Sequence, residues 1–199
     1  ALPLNSRHYD KLWAVAQELG TPVNFHILSG YTYFKDRSNL IGNEIVRGAV
    51  NTRMHETMTM MFNLIWYGAF DRFPRLKMVS GEGRIGWLLH FADRGDVSYR
   101  RHRFHQGLKL EMLPSDYLKR NLYNTFLEDR SAILLRDRIG VDNQMWSSDY
   151  PHSDTVWPYS QQLNEEQFAG IPELDKRKML ALNAARLYKL PADEFKRPQ

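Results

Sequence analysis

The chain has 199 residues, a length that predicts a single domain, and its 43% hydrophobic and 25% charged residues are typical of a globular protein. The net charge of +4 is small and most basic residues are scattered, so neither a nucleic-acid partner nor a nucleic-acid-binding surface is expected. The chain has no Cys, no signal-peptide pattern and no apolar run near the roughly 18 residues of a membrane span, which together favour a cytoplasmic protein without a membrane contact.

Strands and helices are predicted to alternate along the chain, the strands from β-favouring runs and the helices from apolar residues at three- and four-residue spacing. In chain order the predicted elements are a helix at Arg7–Leu19, a strand at Val23–Leu28, a long polar connection at Gly30–Gly48, a helix at Val50–Trp66, a strand at Leu76–Ser80, a helix at Ile85–Asp93, a strand at Leu122–Leu127, a helix at Ser131–Ile139, a strand at Gln144–Ser148 and a helix at Glu173–Tyr188. This alternation predicts an α/β fold with parallel strands joined by right-handed crossovers, so that the C-terminal strand ends share one edge.

Polar residues lie at or just after the predicted C-terminal strand ends: His26, Glu82, Glu128, Asp129 and Asp149. Functional groups of parallel α/β folds collect at that edge. His26 and Asp149 offer the neutral nitrogen and anionic oxygen that a divalent ion such as zinc accepts, and without Cys only His and carboxylates remain as expected ligands. The alternative is a hydrogen-bonded core histidine and an aspartate that caps a turn.

Two further residues are candidates for proton transfer or substrate contact. Glu82 lies between Gly81 and Gly83 and is suited to act as a general base or an additional ligand, or else it is a solvated turn residue. His152 follows Pro151 in an aromatic-rich loop and is either a proton donor or substrate contact, or an exposed loop histidine. Motifs for nucleotide binding, phosphate loops and serine hydrolases do not occur in the chain.

The sequence resembles the amidohydrolase-2 group of metal-dependent hydrolases and decarboxylases, relatives of aminocarboxymuconate semialdehyde decarboxylase. The segments that carry the resemblance are Leu19–His26, Gly68–Lys77 continuing to Glu82 and Ile85–Trp87, Met145–His152, and Asn183–Tyr188, which is similar to the family's closing helix. The resemblance covers nearly the whole chain. It implies a (β/α)₈ barrel with a metal at the C-terminal face of the strands.

Within this resemblance, His26 matches the fifth-strand histidine ligand and Asp149 the eighth-strand aspartate. The family's first-strand His-x-His pair does not occur here, and a whole barrel takes about 250 residues. The expectation is therefore one domain over residues 1–199 that corresponds to strands five to eight, the C-terminal part of the barrel. Glu82 stands where the decarboxylase branch carries a histidine that activates metal-bound water.

The leading hypothesis is a metal-dependent hydrolase that acts on a small organic acid or amide through metal-activated water. His26 and Asp149 would bind the ion, which is expected to be zinc, while Glu82, Asp149 and His152 would be catalytic. The alternatives are a non-oxidative decarboxylase or hydratase of the same family, and a non-catalytic half-barrel assembly subunit without metal. Half a barrel exposes two sheet edges, so the expected partner besides a small substrate is a second copy or a missing N-terminal half.

Overall fold

Four parallel strands form one sheet in the computed structural model, which describes residues 2, 4–26 and 57–191. The strands are β1 (Val23–His26), β2 (Met78–Gly81), β3 (Leu122–Phe126) and β4 (Gln144–Trp146). They are hydrogen-bonded in chain order, and every neighbouring pair is parallel. The predicted α/β fold with parallel strands is confirmed.

Helices connect and flank the strands. They are α1 (Asp10–Leu19), α2 (57–66), α3 (Ala69–Arg72), α4 (Trp87–His102), α5 (Pro114–Asn121), α6 (Arg130–Leu134), α7 (Arg136–Ile139), α8 (Ser160–Gln167), α9 (Glu173–Arg177) and α10 (Asn183–Tyr188). Short 3₁₀ segments cover Arg7–Tyr9 and Val141–Asn143, and a π-helical turn, Lys178–Leu182, joins α9 to α10. Among the described residues, none of these helices is long and apolar enough to span a membrane.

Several predicted boundaries differ from those observed. Helix α4 begins at Trp87 and continues to His102 rather than covering Ile85–Asp93. The predicted helix at Ser131–Ile139 is two helices, because Leu135 leaves helical geometry with φ −105° and ψ 18°. Helices α3, α5 and α8 were not predicted. The predicted connection at Gly30–Gly48, the end of the first strand and the start of the second helix lie outside the described residues.

The two faces of the sheet pack against different groups of residues. Phe25, Met78, Leu122 and Phe126 point into the main hydrophobic core, which is formed with the helices. The opposite face carries a small buried cluster of Val79, Tyr123, Met145 and Leu187. Because side chains alternate along a strand, His26 lies on the opposite face from its neighbour Phe25.

Helix α10 fastens the end of the chain to the sheet. The buried Asn183 side chain donates hydrogen bonds of 2.8 Å to the carbonyl oxygens of Val141 and Gln144. At the far end of the helix, the Tyr188 hydroxyl donates a 2.6 Å bond to Asn24 Oδ1 on β1. The helix therefore links the first and last strands of the described sheet. Residues 183–188, which resemble a closing helix in the sequence, form this link.

Candidate active site

His26 and Glu82 form a close pair at the C-terminal edge of the sheet. His26 is the last residue of β1 and is in register with Gly81, the last residue of β2, so that Glu82 follows directly beside it. His26 Nε2 lies 2.6 Å from Glu82 Oε1, and the two side chains are 54% and 28% exposed. Since a carboxylate accepts, the imidazole donates this bond. The interpretation of His26 as a core histidine is wrong, because it lies on the open face of the edge.

The backbone at Glu82 adopts an unusual conformation that directs its side chain. Its φ of 57° is in the left-handed region, which costs a non-glycine residue roughly 1–2 kcal/mol. The Glu82 N–H donates a 2.8 Å bond to Thr125 Oγ1 of β3, whose hydroxyl in turn lies 3.3 Å from the Ser80 carbonyl oxygen. The next residue, Gly83, has no room for a side chain, because a Cβ there would lie 2.0 Å from Ser80 Oγ. The neighbouring strand therefore holds Glu82 in position against His26.

Asp149 and His152 form a second pair in the loop after β4. His152 Nδ1 lies 2.8 Å from Asp149 Oδ2, and the His152 N–H donates a 2.8 Å bond to the Asp149 carbonyl oxygen. Asp149 is nearly buried at 13% side-chain exposure, whereas His152 is 60% exposed. Asp149, like Glu82, has a left-handed φ of 57°. Asp149 thus both shapes a turn, as one alternative proposed, and presents a carboxylate to His152.

An ion pair joins the two loops that carry these pairs. Arg84, two residues after Glu82, lies 2.9 Å from Asp154, two residues after His152. Both loops therefore lie at the same edge of the sheet, as the parallel topology predicts. Among the described residues, no hydrogen bond or ion pair connects the His26 pair with the Asp149 pair. Three strand spacings separate β1 from β4, about 14 Å in a flat sheet.

Asp129 is a strand-end residue with a structural role. Its Oδ2 accepts hydrogen bonds from the N–H groups of Ile85 and Gly86, at 2.7 and 2.8 Å. These groups lie immediately before α4, so the carboxylate fixes the start of that helix and the loop containing Glu82. Glu128, its neighbour, is exposed. Sequence reasoning did not identify the positioning contact of Thr125, although its place near the end of β3 is a signal for this edge.

The donor types at the edge suit a divalent ion, although the described residues supply an incomplete set. The imidazole of His26 and the carboxylate of Asp149 are nitrogen and oxygen donors that borderline and hard cations accept. No group of three or more His, Cys, Asp or Glu side chains that could hold a metal occurs within residues 2, 4–26 and 57–191. Zinc sites normally have three or four protein ligands.

Fold and site together define an α/β barrel-type protein with imidazole and carboxylate groups at the C-terminal strand edge. The sequence model of the amidohydrolase family, described as Amidohydrolase, matches residues 1–190, and the chain belongs to this family. The resemblance seen in the sequence is thereby confirmed at the level of the family. No curated protein matches the sequence.

Solved structures show the same fold. The 5-carboxyvanillate decarboxylase from Sphingomonas paucimobilis is 27% identical, with a TM-score of 0.78 over 96% of this chain and 56% of that one. An amidohydrolase from Mycobacterium avium subsp. paratuberculosis K-10 is 24% identical, with a TM-score of 0.70 over 93% of this chain and 46% of that one. A dihydroxybenzoic acid decarboxylase from Polaromonas sp. JS666, with bound manganese and the inhibitor 2-nitroresorcinol, is 24% identical, with a TM-score of 0.70 over 98% of this chain and 58% of that one. The chain thus spans about half the length of these structures.

Proposed function

We propose that the chain forms part of a metal-dependent decarboxylase that removes a carboxylate non-oxidatively from a small aromatic acid. The observation that carries the proposal is the His26–Glu82 pair, an imidazole held by a carboxylate at the C-terminal edge of a parallel sheet. The likeness to the 5-carboxyvanillate decarboxylase, at 27% identity, favours loss of CO₂ over hydrolysis, the leading hypothesis from the sequence. In this proposal β1 to β4 correspond to strands five to eight of the barrel, its C-terminal part.

His26 and Asp149 would hold a divalent ion, which when bound supplies a Lewis acid for the oxygens of an anionic substrate. Glu82 Oε1 accepts a hydrogen bond from the His26 Nε2–H and so fixes the ring, the arrangement by which carboxylates orient metal-binding histidines. The exposed His152 contacts the substrate, and Asp149 Oδ2, 2.8 Å from His152 Nδ1, moves a proton through that contact. The reaction breaks the bond between ring carbon and carboxylate, CO₂ leaves, and a proton takes its place.

Hydrolysis of a small organic acid or amide is the second candidate, and Glu82 is the observation that favours it. This carboxylate stands where the resemblance to the decarboxylase branch implies a histidine. A glutamate 28% exposed beside an imidazole is suited to take a proton from water as a general base. Both candidates use the same four residues, so the products distinguish them.

The test uses the longest natural polypeptide that contains this chain, purified and assayed with Mn²⁺ and with Zn²⁺. The probes are 5-carboxyvanillate and 2,6-dihydroxybenzoate for CO₂ release, and acetanilide for hydrolysis. We expect CO₂ release that falls at least about tenfold in Glu82→Gln, in line with the roughly 10–100-fold that carboxylates orienting metal-binding histidines contribute. Glu128→Gln is the matched control, since this exposed glutamate also follows a strand of the sheet.

Each outcome decides between the candidates. Acetanilide hydrolysis without CO₂ release would replace the decarboxylase by the hydrolase. Equal activity of Glu82→Gln and Glu128→Gln would contradict the site assignment. If the protein shows no turnover and calorimetry detects no binding of Mn²⁺ or Zn²⁺, the non-catalytic half-barrel subunit remains as the function of this chain.

A further inference from the structure

A cavity lies on the helical side of the protein, between α2 and α4. Its volume is about 540 Å³, within the range of roughly 300–1,000 Å³ typical of small-molecule sites. The described residues that line it include Phe62 and Trp66 from α2, and His90, Phe91 and Arg94 from α4. None of the residues of the proposed active site lines it.

Interlocked aromatic rings form the apolar wall of this cavity. The ring centroids of Phe62 and Trp66 are 5.4 Å apart and those of Phe62 and Phe91 are 4.8 Å apart, both in edge-to-face arrangements. Gly95 makes this packing possible, because a Cβ there would lie 2.8 Å from Phe62 Cζ and 3.1 Å from Pro114 Cβ. The wall is therefore held by tight packing between helices and offers flat apolar surfaces to a ligand.

The described part of the cavity rim carries the positive charge of Arg94. His90 and Arg94 are four residues apart on α4, so they share a helix face, and both are exposed. Among the described residues Arg94 has no ion pair, whereas Arg138 binds Asp93 and Arg72 binds Asp10. The described lining contains no Asp or Glu. A guanidinium presents a planar fork of donors that matches a carboxylate.

From this combination of a flat aromatic wall and a guanidinium with no ion pair in the described part of the chain, we propose that the cavity between α2 and α4 binds a small planar aromatic carboxylate. The ring lies against Phe62, Trp66 and Phe91, and the carboxylate accepts hydrogen bonds from Arg94. This site is separate from the proposed active site and does not depend on its function.

The test is calorimetric titration of the 199-residue chain with 2-naphthoate and with its neutral analogue 2-naphthamide. We expect Arg94→Gln to weaken 2-naphthoate binding at least about tenfold, since a lost hydrogen bond to a charged group costs that much or more. Binding of 2-naphthamide should change less than about twofold, because the aromatic wall is unaltered. Arg100→Gln is the matched control, because Arg100 is an exposed arginine of α4 that forms no ion pair with another described residue and does not line the cavity.

Glu82→Gln separates this site from the proposed active site. The proposal requires unchanged 2-naphthoate affinity in Glu82→Gln and reduced affinity in Arg94→Gln. Equal affinities of Arg94→Gln and Arg100→Gln, or equal binding of naphthoate and naphthamide to the parent chain, would overturn it. Loss of binding in Glu82→Gln alone would assign the naphthoate to the sheet edge and leave the proposed function intact.

Discussion

Replacing Asp129 by alanine should destabilise the protein by removing the anchor at the start of α4. The carboxylate oxygen Oδ2 accepts two backbone hydrogen bonds, from Ile85 at 2.7 Å and from Gly86 at 2.8 Å. Hydrogen bonds to a charged group contribute roughly 1.5–3 kcal/mol, and we take about 1 kcal/mol for each bond here because the side chain is half-buried and water can replace it. The two bonds together then contribute about 2 kcal/mol. For a chain of this size, that corresponds to a fall in Tm of about 4–8 °C.

The assay is urea unfolding followed by far-UV circular dichroism at a fixed protein concentration, because association changes apparent stability. Asp129→Ala should lower the unfolding midpoint without changing the denaturant slope, the signature of a stability change alone. Glu128→Ala is the control, since the exposed Glu128 side chain forms no hydrogen bond or ion pair with α4 among the residues that the structure describes. If both variants unfold at the same urea concentration, Asp129 does not anchor the loop that carries Glu82.

Three other changes test separate parts of the structure. Gly83→Ala should lower the free energy of unfolding in urea by about 1–3 kcal/mol, because the new Cβ would lie 2.0 Å from Ser80 Oγ. Adding Ser80→Ala to this variant should restore much of the lost stability, and a double variant whose loss equals the sum of the two single losses would contradict the clash. The hydrogen bond from Lys178 lowers the pKa of Asp142 below that of an ordinary aspartate. The ionised Asp142 therefore stabilises the fold at pH values above the ordinary pKa, and this stabilisation is lost as the pH falls through the lowered pKa. Asp142→Asn should therefore lose less stability than the parent between pH about 5 and 2, and parallel pH profiles would refute this. Light scattering should show association of the chain, since β1 and β4 are edges of the described sheet; a monodisperse 23.5 kDa monomer that unfolds cooperatively would refute the half-barrel assignment.

The alternation of strands and helices was predictable because it follows from local patterns. Each β-favouring run is followed by a helix, and helical crossovers between parallel strands place His26 and Glu82 at a common edge. Helix α5 was missed although its sequence carries signals, namely Pro114 at its first turn and buried Tyr117, Leu118 and Asn121 at helical spacing. The polarity of this segment concealed the pattern. Helix α8 has a weaker signal still, since Gln167 is its buried residue.

The contacts within the site were less accessible to sequence reasoning than the strands. The pairing of His26 with Glu82 depends on the register that places His26 opposite Gly81, and 56 residues separate the pair along the chain. The left-handed conformations of Glu82 and Asp149 were also unexpected, because local propensity assigns positive φ to glycine. At Glu82 the hydroxyl of Thr125, from another strand, binds the backbone N–H. Such non-local contacts leave no periodic signal in the sequence.

The curvature of the sheet determines whether the two pairs at its edge act together. The Arg84–Asp154 ion pair joins their loops, but Asp154 is 60% exposed, and exposed ion pairs contribute little. The ion pair therefore contributes little to holding the loop after β2 close to the loop after β4. In a closed barrel, by contrast, inward side chains of separate strands converge toward one axis, whereas in a flat sheet they stay a fixed number of strand spacings apart. Closure of the barrel would cover the edges of β1 and β4 and would also bring His26 toward Asp149. A single structural change thus meets both needs.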